Sequence, residues 1–163
     1  MNGLGELTDM KDLLSWLHRD HHAVLQLSKW LSDCGKPQLD AGCCSVLRRL
    51  QRHLDAHLSI EDEVLFPVLE RQQKQLPIVR MRSEHRQLRH ALGLLAGSLV
   101  NRDWTRFNFE ATQLWQDLQR LEMYEQEHLY PMVMSGLSEM ELNRIWQDAL
   151  SIRKRAGLMF LAA

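Results

Sequence analysis

Glycine and proline are scarce, 8 and 4 in 163 residues. That scarcity removes the turn chemistry on which closely spaced strands depend and leaves long stretches free to be helical. Cysteine is scarcer still: Cys34, Cys43 and Cys44 form no Cys-x-x-Cys, and an odd count with one vicinal pair makes a poor disulfide framework. Three small buried thiols in a reducing compartment are expected, with no redox site. Charge of one sign is not in excess either. Lys and Arg number 20 against 21 Asp and Glu, a formal charge of −1, so the chain lacks the basic surplus that nucleic-acid phosphates or an anionic membrane would attract. No window approaches the roughly 18 consecutive apolar residues of a membrane span. The first residues, Met1-Asn2-Gly3-Leu4-Gly5-Glu6, have neither a cationic start nor an apolar core. Neither nucleic acid nor a membrane is expected as a partner, and a cytoplasmic location is expected. At this length one domain spanning 1–163 is the simplest organisation.

In place of turns the chain carries a helical period, with apolar residues recurring at spacings of three, four and seven. Leu13, Leu17, Val24 and Leu31 form one such stripe, and Leu47, Leu50, Leu54 and Leu58 another. The fold class is therefore all-α: an up-down-up-down four-helix bundle over about 9–135 and a shorter C-terminal helix over about 139–155. The first helix should open after Thr8-Asp9 and stop at the turn cluster Cys34-Gly35-Lys36-Pro37. The second should open after Asp40 and be kinked in its last turns by Pro67. The third should start near Pro77, and the fourth at Asp103 or Trp104, with Pro131 near its end. Ser138-Glu139-Met140-Glu141 has Ser followed three residues on by Glu, a capping box for the last helix.

Eight histidines are the unusual part of the composition. A shift of 64 residues lays Asp20-His21 on Glu84-His85, and His57-x-x-x-Glu61 with Leu65-Phe66-Pro67 on Leu121-x-x-x-Glu125 with Leu129-Tyr130-Pro131. One shift that aligns two separate helix pairs implies two helix hairpins related by an approximate twofold. Each hairpin would offer an inward His from its first helix and a carboxylate from its second. Positions i and i+4 share a helix face, so His57 and Glu61 can grip one ion. Burying such groups without a cation would be costly in desolvation.

The pattern Asp20-His21, His57-x-x-x-Glu61-Asp62, Leu65-Phe66-Pro67, Glu84-His85, and Glu125 leading into Leu129-Tyr130-Pro131 resembles the bacterial hemerythrin-like family, also called the HHE cation-binding domain, over residues of about 10 to 155. The resemblance implies a bundle holding a non-haem centre of two irons. One His would come from each of the first and third helices and a His-x-x-x-Glu from each of the second and fourth, with both Glu carboxylates bridging. Arg153-Lys154-Arg155-Ala156-Gly157 also resembles the basic tail that often closes bacterial members. The implied metal ligands are His21, His57, Glu61, His85 and Glu125. Imidazole and carboxylate suit iron, and a bundle core holds them rigidly.

The chain departs from the family at Leu121, which stands where the fourth helix should supply an imidazole. His128 is expected as a replacement, since Glu125-x-x-His128 is the spacing of ferritin-like di-iron bundles; the other arrangement is one intact metal site beside a weak one. His18 and His22 read as surface residues, His90 has no partner at ligand spacing, and His53, one turn before His57, reads either as a group that orients a ligand or as a partly exposed bundle residue. The five tryptophans read as packing residues. The apolar run Met132-Val133-Met134 and the tail Gly157-Leu-Met-Phe-Leu-Ala-Ala163 suggest a homodimer contact or a tail folded back on the bundle. By resemblance, the expected function is binding, sensing or reacting with a small diatomic such as dioxygen or nitric oxide, or handling iron under oxidative or nitrosative stress. Two other classes stay open: a di-iron oxidase or nitric-oxide reductase, and a metal-poor helical interaction module.

Overall fold

A computed structural model describes residues 3–34, 40–72 and 75–158. The elements are α1 (Gly3–Asp33), α2 (Asp40–Ser59), a π-helical turn (Ile60–Leu65), α3 (Phe66–Glu70), α4 (Gln75–Val100), α5 (Trp104–Gly136) and α6 (Glu139–Arg155). Among the described residues there is no strand. The long helices pack as a bundle: α1 lies against α5 and α2, α4 against α5 and α2, and α6 against α1, α2 and the π turn. The stripes read from the sequence face inward, with Leu13, Leu17, Leu31, Leu50, Leu54, Leu58, Leu95 and Leu114 all buried. Each such leucine contributes about 1.5–3 kcal/mol of burial, so the stripes and not helix propensity hold the bundle together.

The helix ends follow local chemistry. Asp103 caps α5, its side chain accepting from the Arg106 N–H at 3.1 Å. The expected capping box opens α6: Ser138 Oγ accepts from the Glu141 N–H, and the Ser138 N–H donates to Glu141 Oε2 at 2.9 Å. One boundary falls elsewhere than the sequence reading puts it. Helix α1 starts at Gly3, ahead of Thr8-Asp9, because that pair continues the helix instead of capping it. Helix α4 starts at Gln75, which leaves Pro77 in the first turn, where its missing N–H breaks no bond.

The stretch around Pro67 holds more structure than a kink. Residues Ile60–Leu65 form a π turn in which the Phe66 N–H bonds the Glu61 carbonyl, and Pro67 then sits in the first turn of α3. Proline has no N–H to give and its ring crowds the carbonyl four residues back, here that of Glu63; widening the preceding turn removes the conflict. Arg82 fastens the turn from α4 by donating to the Asp62 carbonyl at 3.0 Å.

The cysteine expectation is overturned in part. Cys34 and Cys43, both buried, are joined as a disulfide that ties the end of α1 to the start of α2, and Cys44 is a free, half-buried thiol. Residues 35–39, between the two helices, lie outside those described. Met132 and Val133 are buried, leaving only Met134 of that run exposed, because Met132 and Val133 sit on the inward side of α5. Leu158 is buried, and the tail from Met159 to Ala163 lies outside the described residues. No described helix is long and apolar enough to cross a membrane.

Candidate metal centre

The donors come from separate elements: His21 from α1, His57 from α2, Glu61 from the π turn, His85 from α4 and Glu125 from α5. All five are buried, Glu61, His85 and Glu125 completely. His21 Nε2 lies 2.8 Å from Glu125 Oε2. His85 Nε2 lies 3.2 Å from Glu61 Oε2 and 3.8 Å from Glu125 Oε1, and His57 Nε2 lies 3.5 Å from Glu61 Oε1. One donor atom each from His21, His57, Glu61 and Glu125 fall within 4.8 Å of one another, close enough that a metal ion could be held among them.

The contacts repeat with the 64-residue shift. The pair His21–Glu125 corresponds to His85–Glu61, so each hairpin's inward histidine meets the other hairpin's carboxylate. Phe66 stacks on His85 with ring centres 5.4 Å apart, and its counterpart Tyr130 stacks on His21 at 6.4 Å. Among the inward ligands the symmetry breaks at Leu121: His57 reaches Glu61, while its counterpart Leu121 has no donor to offer Glu125.

Every histidine of the cluster is held by its other nitrogen. His57 Nδ1 donates to Asp20 Oδ2 at 3.0 Å, His85 Nδ1 to Asp62 Oδ1 at 2.9 Å, and His21 Nδ1 meets the Tyr130 hydroxyl at 3.0 Å. Tying Nδ1 outward fixes the ring and turns Nε2 into the centre, the outer arrangement that metal-binding imidazoles use. Asp62 is anchored by Arg89, 2.9 Å from Oδ2. Because Glu61 and Asp62 are consecutive, the π turn grips both nitrogens of one ring, His85, from two sides.

The electrostatics follow from crowding charge into a dry interior. Burial pulls His21 down, but Glu125, Glu61 and Glu122 outweigh it and hold it up at about 9. Burial likewise opposes charge on His85, and its contacts with Asp62, Glu125 and Glu61 push it up to about 11. Asp20 and Glu125 stay well below the usual carboxylate range despite burial, Asp20 through His53, His57 and Arg153, Glu125 through His21, His85 and His57. Burial and the charges of Glu125, Glu61 and Glu122 raise Tyr130 far above a free phenol, so its hydroxyl keeps its proton.

Nε2 of His57 and of His85, and all four carboxylate oxygens of Glu61 and Glu125, are buried without a hydrogen-bond partner. Groups of this kind are ordinarily satisfied. Their convergence and their mixture of imidazole nitrogen and carboxylate oxygen fit a first-row divalent or trivalent cation, iron included. Between His21, His57, Glu125, Leu118 and Leu121 lies a small, mostly apolar cavity of about 10 Å³.

His128 stands outside this group. It is half-buried, its ring edge-on to Tyr124 at 4.2 Å, and Tyr124 in turn lies under the Arg80 guanidinium at 4.1 Å. His18, His22 and His90 are exposed, and His53 comes within 3.6 Å of Asp20 Oδ1. Sequence reasoning missed the roles of Asp20, Asp62, Tyr130 and Arg153. The signals were adjacency, Asp20 beside His21 and Asp62 beside Glu61, and the pairing of Tyr130 with Phe66 in the repeat.

Helices that bring buried imidazoles and carboxylates to one point define a cation-binding helical protein. The family model of the hemerythrin HHE cation-binding domain matches residues 12–133, and the chain belongs to that family. No curated protein and no solved structure matches it.

Proposed function

We propose that the chain is a non-haem iron protein whose centre, in an up-down-up-down bundle of α1, α2, α4 and α5, holds two irons at unequal sites and binds or senses a small diatomic, dioxygen or nitric oxide. The single observation that carries the reading is the set of six buried donor atoms on His57, His85, Glu61 and Glu125 that make no hydrogen bond and face only one another and His21. In this reading His21, His57, Glu61 and Glu125 form the richer site, and His85 with shared Glu61 and Glu125 the poorer one, because Leu121 contributes nothing there. Bound iron would supply an open coordination position and an exchangeable electron.

The chain's own residues do the rest. Glu61 and Glu125 offset the cation charge inside the bundle. Asp20, Asp62 and Tyr130 keep the three Nε2 atoms aimed inward. Leu118 and Leu121 line the cavity beside the centre with hydrocarbon, which admits a small apolar diatomic and disfavours water or a bulky anion. An oxidase or nitric-oxide reductase built on Glu125-x-x-His128 draws no support from the edge-to-face packing of His128 and Tyr124. Elemental analysis of protein purified without oxygen, followed by absorption spectra on admitting air or nitric oxide, tests the reading. Iron with bands that respond to either gas is expected; zinc, no metal, or indifferent spectra would refute it.

A further inference from the structure

The match to the family ends at residue 133, and α6 lies beyond it. Yet α6 reaches the centre. Arg153, in its last turn and only 6 % exposed, places Nη1 2.8 Å from Asp20 Oδ1. The other oxygen of the same carboxylate accepts from His57 Nδ1 at 3.0 Å. With Oδ1 bonded to Arg153 beside His53, whose Nδ1 is 3.6 Å away, and Oδ2 bonded to His57, the Asp20 carboxylate is fixed from several sides, and the imidazole inherits that fixity. The guanidinium is itself located by the Trp16 ring, whose centre is 5.3 Å away and which meets Trp146 of α6 edge-on at 6.2 Å. The corresponding brace on the other side, Arg89 on Asp62 on His85, is supplied by α4, inside the matched segment. The brace on His57 comes from an element outside it.

We propose that Arg153 is a positioning residue for the metal ligand His57, acting through Asp20, so that docking of α6 and filling of the centre favour each other. The inference rests on the metal-binding reading above. The physical reason is linkage: if a docked α6 fixes His57 for the cation, a cation on His57 must by the same amount hold α6 down. The C-terminal helix then reports whether the centre is filled, and its exposed neighbours Lys154 and Arg155 are the groups that would loosen with it.

Cobalt(II), whose visible bands report ligand number and geometry, is the probe. Arg153→Met keeps an unbranched stem over Trp16 and removes the charged fork. It should weaken cobalt binding roughly 10- to 100-fold, as loss of an outer-shell partner does, and shift the visible bands; Arg153→Lys should recover part of the loss. In an Asp20→Asn background the same Arg153→Met change should have little further effect, because the path is already cut. Backbone amides of α6 should exchange more slowly with cobalt bound in the wild-type chain. Wild-type affinity and bands in Arg153→Met, or losses that add in full in the double variant, would overturn the inference. Should Arg153→Met fail to fold, the exchange measurement on the wild-type chain decides, and equal α6 exchange with and without cobalt overturns it. A wild-type chain that takes up neither cobalt nor iron sinks the proposed function and this inference together; normal uptake with an indifferent Arg153 sinks this inference alone.

Discussion

Five side chains that a helical period and a repeat single out, His21, His57, Glu61, His85 and Glu125, meet in one buried cluster. They were legible because each lies on an inward helix face, and facing is a local property that a 3.6-residue period encodes. Their outer partners were not legible. Asp20 serves His57 on another helix and not its neighbour His21, and Asp62 serves His85 of α4. The repeat even misleads at this point, since Glu84, the counterpart of Asp20, approaches Arg80 at 3.8 Å on its own helix. Pairings between helices depend on rotation and register, which no single helix records. His128 has the spacing of a ligand, yet it packs edge-to-face with Tyr124 and is not in the cluster of His21, His57, Glu61 and Glu125. His128→Ala should therefore leave iron content and spectrum unchanged, whereas His57→Ala should lower iron content; loss of iron in the first would restore His128 as a ligand.

The same residues set a pH dependence. In the metal-free protein His21 and His85 are raised from about 6.5 to about 9 and about 11. A group held above its unfolded value contributes stability that is complete below the unfolded value and is lost as pH climbs through the folded one. Urea unfolding of the metal-free protein should thus show stability falling from pH 7 to pH 11. A flat or rising profile over that range would contradict the protonation assigned to the two rings.

At the level of elements, the helices were readable from their stripes and the start of α6 from its capping box. The π turn was not readable. Pro67 announces a disturbance, but whether the chain answers with a kink or with a widened turn depends on what the widened turn gains. Here it brings consecutive Glu61 and Asp62 to opposite edges of His85 and lets Arg82 hold the Asp62 carbonyl. Pro131, at the corresponding place in α5, leaves that helix continuous. The Cys34–Cys43 link was equally hidden, because cysteine spacing carries no information about which helix ends meet. Closing so short a loop restricts the unfolded chain, so a Cys34→Ser variant should lose about 2–3 kcal/mol in denaturant unfolding. Its iron uptake should be unchanged, since neither cysteine touches the cluster. Wild-type stability in the variant would show that the link does not persist in solution.

At the scale of the whole molecule, two hairpins whose contacts repeat with the 64-residue shift meet at a centre where Leu121 stands in place of an inward donor. On the proposed reading of two unequal sites, Leu121→His would supply the absent imidazole; it should raise the weaker iron affinity and leave the stronger within a few-fold. Equal effects on both would argue against the assignment of unequal sites. On the proposed reading a cation at the cluster is also part of the fold, because it takes over from the His21 and His85 imidazoliums the work of offsetting the two buried carboxylates. The most direct measurement is anaerobic titration of the metal-free protein with ferrous iron, followed in the wild-type chain and in a Glu61→Gln, Glu125→Gln double variant of unchanged helicity. Saturable uptake in the wild-type chain, one equivalent tighter than the next, and its loss in the double variant is the expected result. Equal uptake by the two proteins, or none by either, would contradict it.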